Sequence, residues 1–318
     1  MHSRWFNLTV VLLWLTMMTW LIKQKVMPAM LIGEPPSYAE ILDAQREHPT
    51  VGWTVLWDHH ELGWAISKTN RLPHELTEIN SLIHFDELPV GEMTPDWLRG
   101  ILRPLGSMRS RLHMEAISSL VFDPLGRLNR FESKVQFEPN VDAFKIRGTI
   151  DGGKLSLTVR AGDFTYDKET RLPNSAMLGD AFSPQSELPG LREGQKWTVE
   201  VYSPLLPPNT PMEILEAKVE GKEPIQWEDR LLDAWLVVYR KDPGTRASRS
   251  NQTQGRMWVH PNGTVLKQEV RLFNAPLTLV RLSPKATDAL AEQVGQNPAL
   301  GYPAVLPGAK QTEAIRHQ

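Results

Sequence analysis

Asp151-Gly152-Gly153-Lys154-Leu155-Ser156-Leu157-Thr158-Val159-Arg160-Ala161 decides the fold class of this chain. A tight turn opens the stretch. Apolar Leu155, Leu157, Val159 and Ala161 then alternate with polar Lys154, Ser156, Thr158 and Arg160. A period of two sends the two sets to opposite faces of a strand. One face is then buried and the other wet, as in an antiparallel sheet that covers a core on one side only. The turn predicts a hairpin back onto Ala143 to Ile150.

The same pattern extends outward in both directions. Upstream, Leu112 to Phe122 reads as a strand, and Asp123-Pro124-Leu125-Gly126 is a turn with Pro second and Gly fourth. Phe131, Ser133, Val135 and Phe137 then share one face. Further upstream, Val51, Trp53, Val55 and Trp57 alternate along a first strand, followed by strands at Gly63 to Thr69 and Leu76 to Phe85. Thr94-Pro95-Asp96 predicts a short helix within Met93 to Leu102. Downstream, Phe164 to Arg171 completes a meander. Leu172 to Leu191, with Pro173, Pro184 and Pro189, breaks the pattern and predicts a connection with one helical turn, a candidate lid or crossover. Strands resume at Lys196 to Tyr202, Met212 to Val219 and Leu231 to Tyr239. A hairpin joins Arg256 to Val259 with Thr264 to Phe273, and Leu277 to Leu282 is the last strand. Pro284 to Val294 predicts a terminal helix, and a frayed tail follows from Gly295.

The fold expected is therefore mainly β: a large curved antiparallel sheet or half-barrel over residues 51–285, with a few short helices. Its halves cover about 51–171 and 196–282 and are connected by 172–195. Residues 26–50 form a linker, in which Tyr38 to Glu47 can make a short helix. Residues 286–318 make a terminal helix and a flexible tail.

Residues 1–25 read as a membrane anchor. Trp5 to Ile22 holds no charged residue, and Arg4, Lys23 and Lys25 close it off. About 18 helical residues span roughly 27 Å, near the thickness of a hydrocarbon core. Trp5 and Trp20 fall near the ends, where amphipathic rings prefer the interface, and Ile22 ends the apolar run. A cleaved signal peptide would need a shorter core and small residues at the cleavage site. The expected location is the inner (cytoplasmic) membrane, single-pass, with the β-domain outside the cytoplasm.

Composition narrows the function classes. The 318 residues carry a formal net charge of -2, which gives no bulk attraction to nucleic acid. Cysteine is absent, so the chain has no disulfide, no thiolate zinc site and no cysteine nucleophile. No Gly-x-Ser-x-Gly elbow, phosphate loop or dinucleotide fingerprint occurs. His74-Glu75-Leu76-Thr77-Glu78 starts like a zinc-protease helix motif but places Glu78 where the second histidine must stand. No cofactor is expected.

Trp57…Leu62-Gly63-Trp64 and Leu188-Pro189-Gly190-Leu191-Arg192-Glu193-Gly194-Gln195-Lys196-Trp197 resemble junctions in bacterial envelope β-domains, including the N-terminal part of transglutaminase-like proteins. The repeated long hairpins resemble the half-barrels of Lol-type lipoprotein carriers, in which a curved sheet closes over a helix and binds acyl chains. The resemblance implies the fold and a hydrophobic ligand. It implies no transglutaminase activity, because that chemistry needs a cysteine. Lol-type carriers are also soluble, whereas this chain has an expected anchor.

The candidate site follows from the aromatic residues. Phe131, Phe137, Phe144, Phe164, Trp197 and Trp235 would line a concave pocket for a lipid or other hydrophobic ligand; the same residues would equally make a plain core. His59-His60-Glu61 is a weak metal candidate, since neighbours on a strand point to opposite faces. The expected function is an anchored, non-enzymatic protein that binds a hydrophobic ligand or a protein partner. The alternatives are a tethered hydrolase, with His59, His60 or His113 as base beneath 172–191, and an accessory subunit of a membrane complex such as a transporter.

Overall fold

The computed structural model describes residues 3–21, 36, 38–88, 112–137, 141–162, 164–171, 177–178, 183–202, 212–241, 253–272 and 275–296. The expected helix at Met93 to Leu102 and the tail after 296 lie outside them.

Helix α1 spans Ser3–Leu21 and helix α2 spans Tyr38–Glu47. Fifteen strands follow. The first eight are β1 (Thr50–Trp57), β2 (His60–Arg71), β3 (Thr77–Leu88), β4 (Leu112–Phe122), β5 (Leu128–Phe137), β6 (Val141–Asp151), β7 (Lys154–Ala161) and β8 (Phe164–Arg171). The rest are β9 (Met177–Leu178), β10 (Lys196–Tyr202), β11 (Met212–Trp227), β12 (Arg230–Lys241), β13 (Thr253–Val259), β14 (Val265–Leu272) and β15 (Ala275–Arg281). Helix α3 (Pro284–Gln296) closes the described chain.

All fifteen strands belong to one sheet, ordered β8 to β1 and then β15 down to β9. Each half is a simple meander, as the alternating pattern predicts. The two meanders meet where β1 pairs antiparallel with β15, Trp53 opposite Arg281. Every described pairing is antiparallel except that of the two-residue β9 with β10. No pairing joins β8 to β9 among the described residues, so the sheet is not a closed barrel there.

Curvature follows from contacts across the sheet. Ser183 Oγ lies 3.1 Å from Ser81 Oγ on β3, and two residues later Gln185 N donates to Gln268 Oε1 on β14 at 3.2 Å. Residues of both halves share one buried cluster, so the sheet curves and its inner face carries the core. Trp53, Phe85, Phe137, Trp197, Val237 and Leu279 belong to one buried cluster fed from both halves. Helix α2 sits inside the curve, with Ile41 in that cluster and Leu42 in a second one beside Phe122 and Phe131. Helix α3 covers the outer face, where Leu290 and Val294 pack on Ile66 and Leu82.

Of the connection 172–195, residues 177–178 form β9 and residues 183–195 contain no helical turn, and the rest of the connection lies outside the described residues. One expectation needs correcting. Strand β11 does not stop at Val219: it continues to Trp227 through Gly221 and Pro224, because a register shift between Val219 and Gly221 absorbs the irregularity.

The N-terminal segment forms the expected helix, but among the described residues no helix is long and apolar enough to cross a membrane. Ile22 lies beyond the described end of α1. Every described side chain of the helix from Val10 to Leu21 is exposed.

Candidate functional site

The interior holds a polar seam that the hydrophobic pattern did not announce. Ser67, Ser81, Ser118 and Ser133 stand directly opposite one another on β2, β3, β4 and β5. All are buried. Ser118 and Ser133 hydroxyls lie 3.3 Å apart, and Ser81 reaches Ser183. Small side chains at these positions leave room for α2 and for the strap of residues 183–190 to enter the concave face.

The strap is fastened by backbone and by charge. Leu188 N donates to Gly263 O at 2.7 Å, and Val265 N donates to Ser186 O at 3.0 Å. Arg281 on β15 donates from Nη1 to Ser186 O at 2.8 Å and to Glu187 Oε1 at 3.2 Å. Both side chains are nearly inaccessible, and the guanidinium lies 5.9 Å from the centre of the Trp53 ring. Burial pushes the Glu187 carboxyl above its usual range, even though Arg281 pulls it down. Burial lowers the Arg281 guanidinium, with Glu187 acting against it. Desolvation thus outweighs attraction for both partners.

Between the strap, α2 and β2 to β4 lies a cavity of about 70 Å³, lined by Tyr38, Gln45, Ser67, Thr69, Phe122 and Ser183 among others. The Tyr38 ring packs against Phe122 in a tilted contact with centroids 5.3 Å apart, and burial raises its hydroxyl pKa, with a smaller push from Tyr239. Gln45 is buried, and its Oε1 has no hydrogen-bond partner among the described residues. No described histidine lines this cavity, so its serines have no base beside them for acyl transfer. The volume is far below the roughly 300–1,000 Å³ of pockets that hold drug-sized ligands. Gln45→Leu is expected to raise stability by about 1–2 kcal/mol, since an unsatisfied buried carbonyl costs that much. Chemical denaturation of the two proteins checks it, and a loss of stability would mean that Gln45 has a partner in solution.

The aromatic residues named from sequence divide. Phe131, Phe137 and Trp197 are buried in the core, Phe131 in a different cluster from the other two, and Trp235 is packed at its margin. None of the four lines the cavity. The side chains of Phe144 and Phe164 lie outside the described residues, although β6 and β8 carry their backbones.

His59 occupies the β1–β2 turn and His60 opens β2, and both are exposed. Asp58 and His59 take positive φ of 47° and 69°, the conformation of a tight two-residue hairpin turn. Neither joins a metal-capable group among the described residues. His113 does: it groups with His84 and Asp86, all ligand atoms lying within 4.8 Å of one another. Sequence reading missed His84, Asp86 and Glu115. The available signal was a pair of His-x-acid triplets, His84-Phe85-Asp86 and His113-Met114-Glu115, each placing both polar groups on one strand face.

No protein-family model and no curated protein matches the sequence. Among solved structures, the chain is similar to a β-barrel-like protein of the DUF1849 domain of unknown function from Brucella abortus. That pair shares 10% identity at a TM-score of 0.46, covering 74% of this chain and 95% of that one. It is also similar to a DUF1089-family protein from Pseudomonas aeruginosa, with 17% identity and a TM-score of 0.31 over 66% of this chain and 91% of that one. Neither neighbour is described as a Lol-type carrier or a transglutaminase-like protein.

Proposed function

We propose that the chain is a membrane-held, non-enzymatic binding protein whose curved β-domain sits outside the cytoplasm and engages a protein partner. The anchor reading is supported above all by where the apolar surface lies. Ten of the twelve exposed large hydrophobic residues described belong to α1, and only Leu125 and Leu231 lie elsewhere. Thr16 and Thr19 return their hydroxyls to the carbonyls of Leu12 and Leu15 at 2.8 Å, so these polar groups need no water. An apolar run from Val10 to Leu21 whose described threonines bond to its own backbone is suited to lipid, and it continues in sequence into Ile22.

The small interior cavity favours a partner protein over an enclosed acyl chain. An accessory role in a membrane complex is the form such a function takes. Alkaline carbonate washing of membranes is expected to leave the chain in the pellet, and detergent to release it. Arginine at the helix centre costs about 2.5–3.5 kcal/mol on insertion, so L13R combined with L15R is expected to move the chain to the supernatant. A wild-type chain released by salt or carbonate would overturn the anchor. Protease protection in sealed vesicles checks the side of the domain. Native mass spectrometry after mild detergent extraction checks the occupant: a co-purifying acyl-chain lipid at one per chain would return the weight to a lipid carrier.

A further inference from the structure

We propose that the outer face of β3 and β4 holds a divalent transition-metal site formed by His84, Asp86 and His113, with Glu115 orienting His84. The site is built by register and by a bulge. His84 and Asp86 are two residues apart on β3 and share a face, as do His113 and Glu115 on β4. His84 stands directly opposite Glu115. The pairing then shifts between Phe85 and Leu88, so that Asp86 and Glu87 together face the single residue His113. A bulge of this kind bends the strand and re-aims a side chain. Here it brings Asp86 toward both imidazoles.

The two nitrogens of His84 have separate tasks. Nε2 lies 3.3 Å from Asp86 Oδ1, and Nδ1 lies 3.4 Å from Glu115 Oε1. Donation from Nδ1–H to Glu115 leaves the Nε2 lone pair free and aimed at Asp86. Metal-binding histidines are commonly oriented by such a carboxylate. The Trp64 ring stacks on His84 at 5.3 Å with 17° between planes, which holds the imidazole from its other side. Donors on a tetrahedral ion with bonds of about 2.1 Å are about 3.4 Å apart, and the His84–Asp86 spacing already has that value. The remaining ligand atoms lie within 4.8 Å of each other and need a closure of at most about 1.4 Å to reach that spacing, which exposed His113 and Asp86 can make by rotation.

Two imidazoles and one carboxylate suit Zn²⁺ and its neighbours in the first transition row better than Ca²⁺ or Mg²⁺, which prefer oxygen. Three protein ligands leave at least one position open. The site therefore fits a cation that also takes a water or a donor from a partner. This inference does not depend on the anchor or on the partner reading.

The test uses the full chain in detergent, purified without a polyhistidine tag and stripped with chelator. Zn²⁺ is titrated by calorimetry, and Co²⁺ is followed by its visible absorption. One equivalent of each is expected to bind, with Co²⁺ giving the intense bands of four- or five-coordination. H113A and D86N alter exposed groups and should fold normally; each is expected to weaken binding at least tenfold. E115Q is expected to weaken it about 10–100-fold by loosening His84. H59A with H60A should change nothing. Failure to bind one equivalent, or binding that survives both H113A and D86N, would overturn the site.

Discussion

R281M is expected to destabilise the protein by about 3–5 kcal/mol, the cost of leaving a buried charge without its partner. Arg281 is the point where the strap, the β1–β15 seam and the core meet. Its Nη1 serves Ser186 O and Glu187, while its guanidinium faces Trp53. Removing it leaves Glu187, which is 3% exposed, without its cation and with only the Thr264 hydroxyl as a side-chain donor. Removing both charges should hurt much less than removing one, so E187L with R281M is expected to recover most of the loss. Urea unfolding of the wild type and the variants checks this, and a double variant no better than R281M would refute the pairing argument. The pH dependence has a definite sign. Burial holds the Glu187 pKa above its unfolded value. Between those two values the folded protein keeps a proton that the unfolded chain has lost. This group's contribution is therefore full below the unfolded value and declines as pH rises through the folded one. The same decline should be missing from E187Q.

G63A is the second large effect, expected at about 2–5 kcal/mol from strain and overpacking together. Gly63 has φ of +152° and follows Leu62, the extra residue where β2 slips its pairing with β1 between Val55 and Leu56. A Cβ there would stand 2.0 Å from the carbonyl oxygen of His84 on the neighbouring strand. That contact is with backbone, so no side-chain rotation relieves it. Gly152 is the control. It also has positive φ, +53°, but nothing lies within 4 Å of its Cβ position. G152A should cost only about 1 kcal/mol, the conformational share alone. Equal losses at the two positions would show that crowding at Gly63 is unimportant.

The strands were legible because one-sided burial writes itself into sequence with a period of two. The helix at Tyr38 to Glu47 could be read because the period changes there. Three features were not legible. The pairing of β1 with β15 joins distant parts of the chain and leaves no local mark. The serine row looks like ordinary polar alternation until the register aligns Ser67, Ser81, Ser118 and Ser133 across four strands. His84 and Glu115 are 31 residues apart, and only the strand pairing reveals that they face each other, while the bulge after Phe85 adds Asp86. Conversely, His59 and His60 catch the eye in sequence because they are adjacent, yet His59 lies in the turn, His60 opens β2, and neither joins a metal-capable group among the described residues.

The seam between β1 and β15 also sets the order in which the molecule can be made. Strand β1 is among the first parts of the domain to leave the ribosome, and its partner on one side, β15, is the last of the described strands to be synthesised. Each meander can zip from its own hairpins with short loop closures, whereas the seam must wait for the whole chain. During that interval β1 presents an unpaired edge with Trp53 and Val55 beside it, a template for wrong partners. A chain stalled or truncated before Ala275 would keep that edge open permanently. Quality control of this protein therefore rests on completion of its C-terminal strand, and loss of the last strand should be far more harmful than a nick in the surface loops.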